Sequence, residues 1–273
     1  MALNGGAAQG RGPGAGEEVL AGLARDLSAA ARTRAPIRLL SERFADLTLE
    51  DAYRIQQIGT AMRVSAGDRV AGHKLGLTSV AMQEQMGIDE PDSGVVLDSM
   101  LGVSGCALPA ADFMSPRIET EIAFRLGEDL SGPANVHRIG AALAEVFLAF
   151  EVLDTVYTSW GLTLVDSIAD NAACAGVITG SPVPFTPDLD LATEQVTVQA
   201  NGTAAATGTG RDILGNPLEA LVWLTHRLPM LGTTLRAGDI VLAGSVHASL
   251  PLTPGTDFRA TSTRLPAVNL HVT

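Results

Sequence analysis

The segment SPRIETEIAFRL (115–126) constrains the fold more than any other part of the chain. Its alternation reads as a strand, and on a strand Glu119 and Glu121 point to the same side, roughly 6 to 7 Å apart. Ile118, Ile122 and Phe124 are core residues in type, so the strand must meet a hydrophobic interior on at least one face. Like charges at that spacing repel, and burial makes the repulsion worse. Three resolutions are open: a cation between the carboxylates, protons shared among them, or an exposed sheet edge.

A second apolar run, LAFEVLDTV, carries Glu151 and Asp154 with no compensating base nearby in sequence. Three carboxylates drawn from two apolar strands suit Mg2+ or Mn2+, hard cations that take oxygen ligands and keep several waters for substrate to displace. The competing arrangement leaves Glu119 and Glu121 on an open edge and pairs Glu151 with one of the 18 Lys and Arg residues.

The rest of the chain reads as helices followed by a β-rich body. EEVLAGLARDLSAAART (17–33) has amphipathic helical spacing, and TLEDAYRIQQIGTAMRVSAG starts from Thr48 as N-cap, with Asp51 placed for a capping box and Gly67 as the stop. After residue 68 short β-type runs follow, RVAGHKLGL, SGVVLDSM, RIETEIAFRL and EVFLAFEVLDTV, then a hairpin about Asn201 and Gly202, one helix near 217–231, and the strands DIVLAGS, FRATST and AVNLHVT. The expected organisation is a disordered Gly-rich start (1–15), a helical N-terminal cap (16–67) and a catalytic β-rich domain (68–273). The fold class is α+β, with a mostly antiparallel or mixed, coiled sheet rather than a doubly wound array.

With 46% hydrophobic residues the chain can bury a real core. A net charge of -12 makes the electrostatics of nucleic-acid or anionic-membrane binding repulsive. No apolar run of about 18 residues appears and the start lacks the core of a signal peptide, so a cytoplasmic protein is expected. Cys106 and Cys174 lack ligand spacing and read as free thiols.

GHKLGLTSVAMQEQMGIDEPDSGVVLDSM, then RIETEIAFRLGEDL, then FEVLDTVYTSWGLTLVDSIADNAACAGVITG, with LGNPLEALVWL and AGDIVLAGS further on, resemble in order the signatures of the 2-keto-4-pentenoate hydratase and 4-oxalocrotonate decarboxylase family of the fumarylacetoacetate hydrolase superfamily. The resemblance implies that superfamily's β-roll and a Mg2+ or Mn2+ ion held by Glu119, Glu121 and Glu151. It implies Lys74 as the active-site lysine that contacts a substrate carboxylate or shuttles a proton, and Asp92 as acid/base. Leu77, Asp170, Asn171, Ala173, Ser245 and His247 fall at positions around the substrate, while Asp89 and Glu90 read as turn residues. A small 2-oxo or 2-hydroxydienoic acid is the implied substrate. A homo-oligomer is the implied assembly, with association to a pathway enzyme as a family habit.

Three positions depart from the family pattern: Ser93 stands in place of an aromatic, Ala173 in place of a serine, and Gly161 in place of a lysine or glutamine. They suggest a larger or more apolar 2-oxo acid. Hydration is the expected reaction. Decarboxylation, hydrolysis of an acylpyruvate, and a non-catalytic partner subunit are the alternatives. The five histidines show no metal-binding spacing, TGTGRD (207–212) reads as a turn, and Ser245 has no His–Asp arrangement for a nucleophile.

Overall fold

The computed structural model describes residues 15–79, 83 and 90–273. The expected disordered start therefore lies, up to residue 14, outside the described residues, as does Asp89. Helix α1 (Glu17–Thr33) buries Leu20, Leu23, Ala24, Leu27 and Ala30, the stripe its sequence spacing dictates. A short α2 (Leu40–Arg43) precedes α3 (Leu49–Ser65). The latter begins in a full capping box, Asp51 N donating to Thr48 Oγ1 at 3.1 Å and Thr48 N to Asp51 Oδ2 at 3.0 Å.

The strands that follow are β1 (Val70–Gly76), β2 (Asp92–Leu97), β3 (Leu101–Val103), β4 (Ala107–Leu108), β5 (Arg117–Leu126), β6 (Leu143–Leu153), β7 (Cys174–Thr179), β8 (Val183–Pro184), β9 (Gln195–Ala200), β10 (Thr203–Thr209), β11 (Ile240–Ser245), β12 (Leu250–Pro251), β13 (Asp257–Ser262) and β14 (Val268–Val272). Helices α4 (Val136–Ala142), α5 (Leu164–Ala169) and α6 (Pro217–Met230) interrupt them. The larger sheet runs β2-β1-β11-β5-β6-β7-β3, and the smaller runs β10-β9-β13-β14-β4. Both are mixed: β1 is parallel to β11, β3 to β7 and β4 to β14, and the other pairs are antiparallel. The two edges of the larger sheet, β2 and β3, are joined by one short turn, and β2 also packs on β7, so the sheet curls back on itself.

Period-2 alternation sorts β5 and β6 onto two interiors. Ile118, Ile122, Phe124, Leu148, Phe150 and Val152 face outward from the curl, onto the smaller sheet and α6. Ala123, Phe147 and Ala149 face inward with Val96, Cys174, Ile240 and Leu242. Glu119, Glu121 and Glu151 share the parity of this inner face. The N-terminal helices have a third cluster, which includes Val156, Tyr157, Ile168 and Ala169 from the middle of the chain. No helix among the described residues is long and apolar enough to cross a membrane.

Candidate active site

Strands β5 and β6 pair so that Glu119 lies directly opposite Glu151, with Glu121 one pleat further along. One oxygen from each carboxylate lies within 4.8 Å of the others. Glu121 and Glu151 are fully buried and Glu119 is half-buried. Gly244 N donates to Glu121 Oε2 at 2.6 Å, but among the described residues Glu121 Oε1 and both oxygens of Glu151 are buried without a hydrogen bond, and Glu151 Oε1 has the Lys74 ammonium beside it. Burial, and after it the charge of Glu151, pushes Glu119 up to about 7 and Glu121 well above the carboxylate range. Clustered carboxylate oxygens, three of them buried without a hydrogen bond, are the donor set of a hard divalent cation, so the residues fit such an ion. Asp154 is not part of this cluster: its two oxygens accept from Met114 N and Ser115 N, both at 2.8 Å.

Lys74 enters from β1, where Gly94 and Leu242 are its cross-strand neighbours. Its Nζ lies 3.3 Å from Glu151 Oε1 and donates to Ala172 O at 2.9 Å. Burial works against its charge, but Glu151 and then Asp92 outweigh it and hold the ammonium above its usual range. Asp92 sits opposite Gly76 and is 1% exposed. Its Oδ2 accepts from Ser167 Oγ at 2.9 Å, and Oδ1 is buried without a hydrogen-bond partner among the described residues.

Glycines provide the room. A Cβ on Gly76 would stand 2.2 Å from Asp92 Oδ1 and 3.3 Å from Lys74 Nζ. At Gly244, which has φ +112°, it would stand 1.8 Å from Thr78 Oγ1. The backbone on the far wall is strained: Asn171, Ala172 and Ala173 are consecutive left-handed residues, with φ of 57°, 51° and 58°. Asp154 N holds Ala173 O at 3.0 Å, and the Asn171 amide bridges Val95 N and O at 2.8 and 2.9 Å. The outcome of this strain is the Ala172 carbonyl directed at Lys74.

The remaining sequence candidates have mixed placements. Asp170 accepts from Thr155 Oγ1 and Val156 N, and burial pushes it up to about 7. With Asn171 it therefore secures the wall, Asp170 through Thr155 and Val156 and Asn171 through Val95. Ala173 is buried in that wall, and Leu77 is left-handed with φ 57° just past β1. Ser245 Oγ donates to His247 O at 2.6 Å, and His247 Nε2 is buried without a hydrogen-bond partner among the described residues. Ser93 is placed differently from what its departure from the family pattern suggested. It has the opposite parity to Asp92 and Gly94, and its hydroxyl lies 3.4 Å from Tyr53 OH on α3, so it enlarges no pocket beside Lys74. Glu90 pairs with Arg227 at 3.1 Å.

Sequence reasoning missed Ser167, the Gly244 amide, the Ala172 carbonyl and Cys174, whose thiol is pushed up by burial first and then by Glu151. A cavity of about 540 Å³ lies beneath the N-terminal helices, against Asp170, Asn171 and Cys174. It does not include the three glutamates or Lys74, so the chemistry is on the other side of the strained wall.

A family model described as the fumarylacetoacetate (FAA) hydrolase C-terminal domain matches residues 78–273. The chain is 38% identical over 237 residues to a 2-keto-4-pentenoate hydratase of Paraburkholderia xenovorans (strain LB400), covering 86% of this chain and 88% of that one. It is 36% identical over 244 residues to a 2-oxo-hept-4-ene-1,7-dioate hydratase of Escherichia coli, covering 86% and 91%. Among solved structures, 4-oxalocrotonate decarboxylase from Pseudomonas putida G7, complexed with magnesium and adipate, superposes with a TM-score of 0.91 at 28% identity, covering 95% of this chain and 99% of that one.

Proposed function

Because the chain belongs to the fumarylacetoacetate hydrolase superfamily, and within it to the family of 2-keto-4-pentenoate hydratases and 4-oxalocrotonate decarboxylases, we propose that it is a hydratase that adds water to a 2-hydroxy-2,4-dienoate and releases a 4-hydroxy-2-oxo acid. Glu119, Glu121 and Glu151 would hold Mg2+ or Mn2+. Such an ion, when bound, supplies positive charge that polarises a 2-oxo group and stabilises negative charge on its oxygen.

The chain's own residues supply the rest. Lys74, almost fully buried, offers its ammonium to the substrate carboxylate. Asp92, through its Oδ1, takes the enol proton of the dienoate and delivers it to C5, giving the 2-oxo-3-enoate and restoring the carboxylate. The oxygen of water then bonds to C4 as Asp92 takes the proton that water gives up, and the same proton passes from Asp92 to C3. One water is consumed, and no oxidant or reductant is required.

The observation that carries hydration is the buried, unpartnered Oδ1 of Asp92 beside Lys74 and the carboxylates. A hydratase needs a base to activate water, whereas loss of carbon dioxide needs only charge stabilisation. Decarboxylation is the second reading, favoured by the structural likeness to the decarboxylase. Incubation of the Mg2+-loaded protein with 2-hydroxypenta-2,4-dienoate, followed by mass, should show the gain of one water. Carbon dioxide loss from 2-oxo-3-hexenedioate without hydration of the pentadienoate would replace this reading with the second one.

A further inference from the structure

Asp92 is oriented by elements remote from it in sequence. Ser167, on α5, occupies Asp92 Oδ2 with its hydroxyl at 2.9 Å. The residues that follow these two, Ser93 and Ile168, both offer their carbonyls to one side chain: Gln56 Nε2 donates to Ser93 O at 2.9 Å and to Ile168 O at 3.0 Å. Gln56 is 5% exposed, and both of its amide protons are spent on these bonds. One residue of α3 therefore fastens β2 to α5 at the point where Ser167 meets Asp92.

Helix α5 is tied down a second time. Its capping residue Asp166 accepts from Thr163 at the helix start and also from Ser41 N at 3.0 Å and Ser41 Oγ at 2.6 Å. At six residues α5 is too short to hold its own position, so the N-terminal helices hold it.

We propose that Ser167 and Gln56 are positioning residues for the acid/base step: Ser167 engages one oxygen of Asp92 so that proton transfer runs through Oδ1 alone, and Gln56 sets the β2–α5 separation that makes this bond. The inference rests on the role given to Asp92 above. Rotation about the last torsion of an aspartate is soft, and one hydrogen bond to the charged form fixes the carboxylate plane. Without it Asp92 swings among orientations of which few point at substrate. The N-terminal helices thereby take part in the chemistry without contributing a group to it.

The test uses the full-length, Mg2+-loaded protein and steady-state hydration. Ser167→Ala should lower kcat roughly 10- to 100-fold, while KM and the Mg2+ dissociation constant, measured by calorimetric titration, stay within about twofold. Ser167→Thr, which keeps the hydroxyl, should restore most of kcat. Gln56→Leu should show the same split between kcat and KM without touching the Ser167 side chain, which keeps the test decisive if Ser167→Ala does not fold. In an Asp92→Asn background Ser167→Ala should cause no further loss, since its effect passes through Asp92. Unchanged kcat in Ser167→Ala, or a change confined to KM or metal affinity, overturns the proposal while leaving Asp92 in its role. Full activity in Asp92→Asn removes the reading of Asp92 itself, and the proposal with it.

Discussion

Glu121 is the most constrained of the three carboxylates, because one of its oxygens takes the Gly244 amide while the other is left to the cluster. Glu121→Gln should lower Mg2+ affinity by roughly 100-fold and remove metal-dependent turnover, since an amide brings no charge and turns a donor toward the ion. Titration calorimetry and the hydration assay check this; full Mg2+-supported activity in that variant would sink the ligand assignment. Gly244 is constrained from two sides, by φ +112° and by Thr78 Oγ1 where a side chain would begin. Gly244→Ala should reduce the urea midpoint and weaken metal binding together, because the strained strand can no longer present its amide to Glu121. At this scale the carboxylate cluster was legible, since an E-x-E pair on an apolar strand announces its own electrostatic problem. Ser167, Gln56 and Ala172 were not: a serine, a glutamine and an alanine carbonyl acquire meaning only from a partner 75, 112 or 98 positions away. Ser93 illustrates the converse, a residue next to Asp92 in sequence that strand alternation turns to the other face.

Elements were legible in proportion to their length and their punctuation. The helix over 17–33 coincides with its amphipathic stripe, and α3 begins where Thr48 and Asp51 said it would. The hairpin about Asn201 and Gly202 has both residues left-handed, with φ of 50° and 77°, as a tight turn requires. Helices Leu40–Arg43, Val136–Ala142 and Leu164–Ala169 went unread, since four to seven residues contain too few turns to show a period. The last of these matters most, because it carries Ser167. Thr48→Ala removes the Oγ1 half of the α3 cap and leaves the backbone N–H of residue 48 donating to Asp51 Oδ2, and this should cost about 1 kcal/mol and lower the thermal midpoint by roughly 2 to 4 °C. Scanning calorimetry checks this, and a midpoint equal to that of the parent would mean that tertiary packing, rather than the cap, sets where α3 begins.

For the whole molecule, the mixed coiled sheet was legible from the order of its runs, but its closure was not, because pairing between chain-distant strands leaves no local trace. That closure gathers three carboxylates, two of them fully buried, which couples stability, protons and metal. Glu119 titrates at about 7 in the fold, against an ordinary value of 4.5. Between these values the folded chain holds a proton that the unfolded chain has released, so the cation-free protein loses stability as pH rises through this window. His73 acts in the opposite sense. Burial lowers it to about 4 from 6.5, so it costs stability as pH falls from 6.5 toward 4. It lies on the other face of β1 from Lys74 and contributes equally with and without metal, so it cancels from a difference measurement. Metal binding requires the ionised carboxylates and relieves their repulsion, so it should strengthen as pH rises. The gap in thermal midpoint between Mg2+-loaded and chelator-treated protein should therefore widen from about pH 6 to about pH 8, and Glu121→Gln should abolish most of it. A gap that stays constant over that range would mean that Glu119 is already ionised in the cation-free fold, and that the cluster is held apart by something other than protons.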